Sequence, residues 1–216
     1  MLPWILLTVV ALAAALEAER RGIRPLLWVA KPLASIGFVG AAVAAGALTS
    51  QFGSAVFIAL VWCLMGDVLL IPRDNSVAFL FGLVAFLIGH VGFAIAFYVR
   101  GVDTTAVVVT VLALALPAFM VWRWLAPSVP RGMRVPVIVY ITVITVMVGF
   151  AVGSMALAPA ALPLAGALMF YASDLTVARE RFVQKSLWNR VVGLPLYYAA
   201  QLCFAAATLS TAATLS

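Results

Sequence analysis

Charge is what this 216-residue sequence has least of, since charged residues make up only 9% of it. A soluble domain of similar size carries roughly a quarter. The deficit excludes a water-facing surface over most of the chain. With 66% hydrophobic residues, it indicates an all-α, polytopic membrane protein. Histidine occurs once and cysteine twice, so neither a His/Cys metal site nor a disulfide framework is expected. Cys63 and Cys203 both fall inside apolar runs and read as small buried hydrophobes. No metal and no organic cofactor is called for. A net charge of +6 would suit nucleic acid, but the basic residues sit in short loops between apolar runs. That pattern is a topology signal, so no nucleic-acid partner is expected.

A spanning helix needs about 20 mostly apolar residues. Segments 2–18, 26–47, 52–71, 77–99, 104–125, 134–157, 159–178 and 188–209 meet or nearly meet this, which predicts eight transmembrane helices in one domain, 1–216. The first is short enough to resemble a signal peptide. No basic residue precedes it, however, so it reads as a span. Trp4, Trp28, Trp122, Trp124 and Trp188 lie near helix ends, as an interfacial belt requires, and only Trp62 sits well inside. Counted by alternate loops, one side receives Arg20, Arg21, Arg24, Arg73, Arg123, Arg131, Arg134, Arg179, Arg181, Lys185 and Arg190, and the other Arg100 alone. The basic side is the cytoplasmic one, with both termini on the opposite face. Arginine far outnumbers lysine, which points to a GC-rich bacterial genome and a bacterial inner membrane. The halves 1–101 and 102–216 also resemble a weak four-helix repeat, with Asp67 and Asp174 each on the third helix.

An ionisable side chain inside lipid costs several kcal/mol (about 3 on insertion scales) and marks a functional site by default. Asp67 and Asp174 are two such acids, each preceded by a small residue (Gly66, Ser173) near the end of an apolar run. Depth can be placed at about 1.5 Å per helical residue. Both acids then lie roughly 6 Å from the cytoplasmic end of their helices, with Lys31 about 8 Å in and Tyr140 in the same layer. Two close carboxyls in a water-poor site cannot both ionise easily, so such a pair suits acid/base work. The plainer alternative is an Asp–Lys pair that only holds helices together, with Lys31 snorkelling to the interface. His90 shares a face with Gly82 and Phe86. A lone histidine in a bundle is more often a hydrogen-bonded packing residue than a ligand. Arg179, Arg181 and Arg190 flank the last loop, where positive-inside bias explains them and phosphate binding would be an addition. Tyr197 and Gln201, one turn apart, suit hydrogen bonding to a substrate or a neighbouring helix. From the residues alone, the acids serve a hydrolase, a proton-coupled transporter of a small or lipid-like solute, or a lipid-binding protein without turnover.

Taken in order over nearly the whole chain, five patterns carry a resemblance: Lys31-Pro32; Gly66-Asp67; the Gly82/Phe86/His90 spacing; Ser173-Asp174 with Ala178 and Phe182; and Tyr197-Tyr198-Ala199-Ala200-Gln201. Together they resemble the YhhN-like lysoplasmalogenases. The resemblance implies an eight-helix membrane enzyme that hydrolyses the vinyl ether of a lysophospholipid drawn from membrane lipid. Its products would be a fatty aldehyde and a glycerophospho-amine. It implies Asp67 and Asp174 as the catalytic acids, without a cofactor. Which of the two holds the proton stays open, with Asp174 preferred. Candidate substrate-binding residues are Lys31, His90, Tyr140, Arg181, Arg190, Tyr197 and Gln201.

Overall fold

Residues 1–72, 75–158 and 160–209 are described by a computed structural model, and nearly all of them are helical. In chain order the helices are α1 Leu2–Arg21, α2 Arg24–Ala44, α3 Gln51–Leu69, α4 Ser76–Arg100, α5 Thr104–Leu125, α6 Arg134–Leu157, α7 Ala161–Ala178 and α8 Leu187–Ala207. Among the described residues there is no β-strand. Arg73 and Pro159, which entered the topology and boundary arguments, lie outside them. Seven of the helices, α1 to α7, are long and apolar enough to cross a membrane. α8 is as long, at 21 residues, but Asn189, Arg190, Tyr197, Tyr198 and Gln201 make it more polar.

The helix ends follow from local chemistry. α1 runs three residues past its expected end because Glu17 accepts from Arg20 at 2.7 Å and from Arg21, pairs spaced to support a helix. Gly22 then stops it in the left-handed region at φ 71°, and Pro25 starts α2, where its missing N–H costs nothing. Ser50, Asn75, Asp103 and Ser186 cap α3, α4, α5 and α8, each accepting from backbone N–H groups of the first turn. Pro72 follows the end of α3. Beyond α7 the chain widens into one π-turn, Arg179–Val183, a feature that recurs at functional sites.

Consecutive helices pack as hairpins: α1 on α2, α3 on α4, α5 on α6 and α7 on α8. α4 packs on α6, α6 on α7, and α8 returns to α1 and α2, so seven helices close a ring with α5 outside it against α6. Leu125 is the single fully buried residue of α5. At one end of the bundle, Arg100 reaches Ser154 Oγ at 3.1 Å and the Ala158 carbonyl at 2.9 Å, tying α4 to the C-terminus of α6. Phe38, Phe93, Phe97, Phe170 and Phe204 are fully buried and fill the interior toward that end. Trp4, Trp28, Trp124 and Trp188 are exposed, with Trp4 also lying over Gly40 of α2.

Small residues set the close helix approaches, as expected where lipid supplies no hydrophobic drive between helices. A Cβ on Gly66 would strike the Phe86 ring, and one on Gly193 would strike Thr176 Oγ1. The Thr176 hydroxyl is itself held by donating to the Ser173 carbonyl at 2.6 Å, beside Asp174. Gly193→Ala should therefore lower stability by about 1–3 kcal/mol, the usual range for overpacking. Gly193→Ala with Thr176→Ala should recover most of that, while Gly132→Ala, in open space, should change nothing. Thermal unfolding in detergent reads all three, and equal melting of Gly193→Ala and the native protein would refute the close packing.

Candidate active site

Asp67 stands in the last turn of α3, where it is 3% exposed. A lone carboxylate there would be costly, and two other helices supply its partners. From α2, Lys31 Nζ lies 3.7 Å from Oδ1 and donates to the Asp67 carbonyl at 3.2 Å. Ser35, one turn on from Lys31, donates to Oδ2 at 2.7 Å, and from α8 the Tyr197 hydroxyl donates to the same oxygen at 2.6 Å. Tyr198 donates to the Lys31 carbonyl at 3.3 Å, which closes the α2–α8 contact. An anion facing one ammonium and two hydroxyl donors is stabilised as an anion.

Asp174, in the last full turn of α7, has a different set of partners. Tyr140 of α6 donates to its Oδ2 at 2.8 Å, and His90 Nε2 lies 3.4 Å from the same oxygen. His90 itself is fully buried on α4, with Nδ1 2.7 Å from the Phe86 carbonyl and its ring 4.2 Å from that of Phe170. No cation lies within ion-pair distance of Asp174 other than this imidazole, among the described residues.

Both acids open onto one cavity of about 210 Å³. Its deep end holds Lys31, Asp67, Tyr140, Asp174 and Tyr197, and its walls are apolar, with Leu83, Phe86, Leu125, Ile141, Ile144 and Leu194. Its rim is charged, formed by Glu19, Glu180, Arg181, Lys185 and Arg190. Of the residues picked from sequence, the fold thus gathers Lys31, Asp67, Tyr140, Asp174, Arg181, Arg190 and Tyr197 on one surface. His90 stands behind Asp174 rather than on the lining. Gln201 is fully buried one turn beyond Tyr197 and does not line the cavity.

The rim differs from a plain cluster of cations. Arg190 is held by Glu180 at 3.0 Å and lies 3.5 Å from Glu19 of α1. Arg179 donates to Asn189 at 2.7 Å and Gln184 at 3.1 Å. Asn189 in turn donates to Glu180 at 2.8 Å, so the loop after α7 is a closed polar network. Arg181 covers the Phe79 ring at 4.3 Å and lines the cavity with Lys185. Glu19, Ser35 and Asn189 did not stand out in the sequence. A signal existed for Glu19: Thr8, Ala11, Ala15 and Ala18 trace the buried face of α1, and Glu19 continues it. Ser35 is one turn from Lys31 on the same face.

Among the described residues, no group of three or more His, Cys, Asp or Glu side chains could hold a metal ion. The chemistry available is proton transfer between differently supported carboxyls in an apolar pocket. If Lys31 neutralises Asp67, removing the cation alone leaves a buried unpaired charge, which typically costs about 3–5 kcal/mol. Lys31→Met should therefore destabilise strongly, and Lys31→Met with Asp67→Asn should be milder than the sum of the two. Additive effects across that double-mutant cycle would show that the pair does not interact.

The sequence matches the YhhN family over residues 26–208. Among curated proteins it is 30% identical over 164 residues to lysoplasmalogenase TMEM86A of Bos taurus, covering 73% of this chain and 66% of that protein. It is 31% identical over 156 residues to lysoplasmalogenase TMEM86A of Homo sapiens, covering 69% and 63%. The chain thus spans slightly under two thirds of the length of either relative. No solved structure matches it.

Proposed function

The chain belongs to the YhhN family, and on that premise we propose that it is a membrane hydrolase cleaving the vinyl ether of a lysoplasmalogen-type lysophospholipid. The observation that carries the reading is the pairing of Asp67 and Asp174 on one apolar cavity with unlike supports. The names of the two mammalian relatives supply the substrate class. In this reading all eight helices cross the membrane, α8 turning its polar face inward, and both termini lie outside. The cavity then sits in the cytoplasmic half of the bundle, as the basic loops require.

A vinyl ether hydrolyses by protonation of its β-carbon, with the alkene π electrons forming the new C–H bond. The α-carbon and ether oxygen then share an oxocarbenium charge. Water adds to that carbon and gives up a proton, and the resulting hemiacetal breaks its bond to the glycerol oxygen. The products are an aldehyde and an alcohol. One carboxyl must deliver the first proton, and an ionised one stabilises the cation and receives the proton of water. Glycosidases divide these tasks between two acids around a related cation. The amphiphile's chain lies along Phe86, Ile141 and Ile144. Its phosphate lies toward the basic part of the rim, where Arg181 and Lys185 line the cavity and Arg179 does not. A proton-coupled transporter would need the pathway to continue through the bundle. The buried phenylalanines beyond the acids favour a site closed at its deep end.

Purified protein should release fatty aldehyde from lysoplasmalogen and leave the ester lysophospholipid intact. Asp67→Asn and Asp174→Asn should each lose at least about a hundredfold in kcat, and the double variant little more. Near-full aldehyde release by either folded variant would sink the two-carboxylate mechanism. Arg181→Gln should raise KM with kcat nearly unchanged, and Arg179→Gln should leave KM alone. The reverse order of effects would move the phosphate off Arg181.

A further inference from the structure

The His90 ring is fixed by two contacts that together determine where its protons are. Its Nδ1 lies 2.7 Å from the Phe86 carbonyl, and a carbonyl oxygen can only accept, so Nδ1 carries a hydrogen. A neutral ring then has a bare Nε2. That atom is buried and faces Asp174 Oδ2 at 3.4 Å without a completed hydrogen bond. A bare nitrogen against an ionised carboxylate would set two acceptors together, with the nitrogen sealed from water. The contact is sensible only with one proton between them, on the carboxyl or on Nε2. Either arrangement leaves the pair with no net charge, the favourable state for a fully buried ring.

The surroundings add nothing that would displace this proton. Tyr140 of α6 donates to Oδ2 and stacks edge-on to the imidazole at 5.1 Å. Cys63 of α3 lies against Gly89, the residue before His90, and Tyr197 of α8 lies beyond the Phe170 ring. Lys31, the one intramembrane ammonium, is engaged at Asp67 instead.

We propose that His90 is a positioning residue that keeps one proton on the His90–Asp174 pair, making Asp174 the acid that protonates the vinyl ether while Asp67 stays ionised. This rests on the vinyl-ether reading for its substrate, though the proton arrangement can be tested without it. As Asp174 gives its proton to the β-carbon, the new carboxylate keeps the Tyr140 hydrogen bond. The proton that Asp67 takes from water later passes to Asp174, which restores the pair and leaves Asp67 ionised again.

The chain has a single histidine, so protein labelled with nitrogen-15 in histidine and purified through a histidine-free tag gives one imidazole spectrum. Nδ1 should stay protonated from about pH 5 to about pH 9, and Asp174→Asn should shift the Nε2 resonance. A neutral ring protonated at Nε2, or an Nε2 signal indifferent to Asp174→Asn, would overturn the proposal. In kinetics, His90→Gln can donate to Asp174 but cannot store the proton. Its kcat should fall about ten- to a hundredfold at pH 8 and much less at pH 5.5, with KM unchanged. A loss equal at every pH would mark His90 as structural only and likewise overturn the proposal. If the native protein releases no aldehyde, the vinyl-ether reading fails, and the nitrogen spectra still decide whether the pair holds the proton.

Discussion

A charge cannot be buried alone in this bundle, and the Lys31–Asp67 pair shows how the fold meets that constraint. Moving an ammonium and a carboxylate out of water costs several kcal/mol for each, and only close opposition with further hydrogen bonds offsets it. The pair therefore specifies that α2 lie beside α3, at the height where Nζ reaches Oδ1. Ser35 and Tyr197 occupy the other oxygen, which brings α8 into the same contact. Two consecutive helices and one distant in sequence are placed by one carboxylate. The same reasoning applies at the rim, where Glu180 and Glu19 flank Arg190 and join α1, α8 and the π-turn after α7.

Seen this way, the two aspartates are unequal because their helices offer unlike partners. Asp67 faces a permanent cation and two hydroxyl donors, while Asp174 faces a hydroxyl and an imidazole. An acid and its conjugate partner are separated by environment rather than by residue type, which is how two identical carboxyls take different roles in other active sites. The cavity between them is apolar along its walls and charged at its mouth. A single-chain amphiphile needs both of those environments at once.

Much of this was legible in the sequence because membrane spans announce themselves by length and hydropathy. The bounds of α5 and α6 agree with expectation to the residue, Asp103 capping the start of the one and Arg134 opening the other. Lys31, Asp67, Tyr140 and Asp174 could be brought together by depth alone, because helical rise converts position into height. What depth cannot give is direction around the helix axis. His90 supports an acid rather than lining the pocket, while Gln201, on the same face as Tyr197 but one turn deeper, lies beyond it. Counter-charges were equally hidden. Arg190 reads as an open cation until the fold sets Glu19 of α1 and Glu180 of the π-turn against it. Ser35, and the bond from Tyr198 to the Lys31 carbonyl, became visible only with the α2–α8 contact, a pairing between distant parts of the chain.

α5 and α8 carry the last step, because they invert the rule learned from soluble proteins. α5 is among the most apolar of the helices, yet Leu125 at its end is its one buried residue. α8 is more polar and lies against α1, α2 and α7, with Asn189, Tyr197, Tyr198 and Gln201 all buried. Lipid is as apolar as a protein core, so hydropathy gives a helix no reason to prefer the interior. What draws a helix inward is small residues that allow close approach and polar groups that need partners. Gly193 and Thr176 supply the first between α7 and α8, and Tyr197 on Asp67 supplies the second. The groups that build the bundle are thus the same kind that perform proton chemistry. On the proposed vinyl-ether reading the polar face of α8 contributes to both, since removing Tyr197 would take a donor from Asp67 and a contact from the fold.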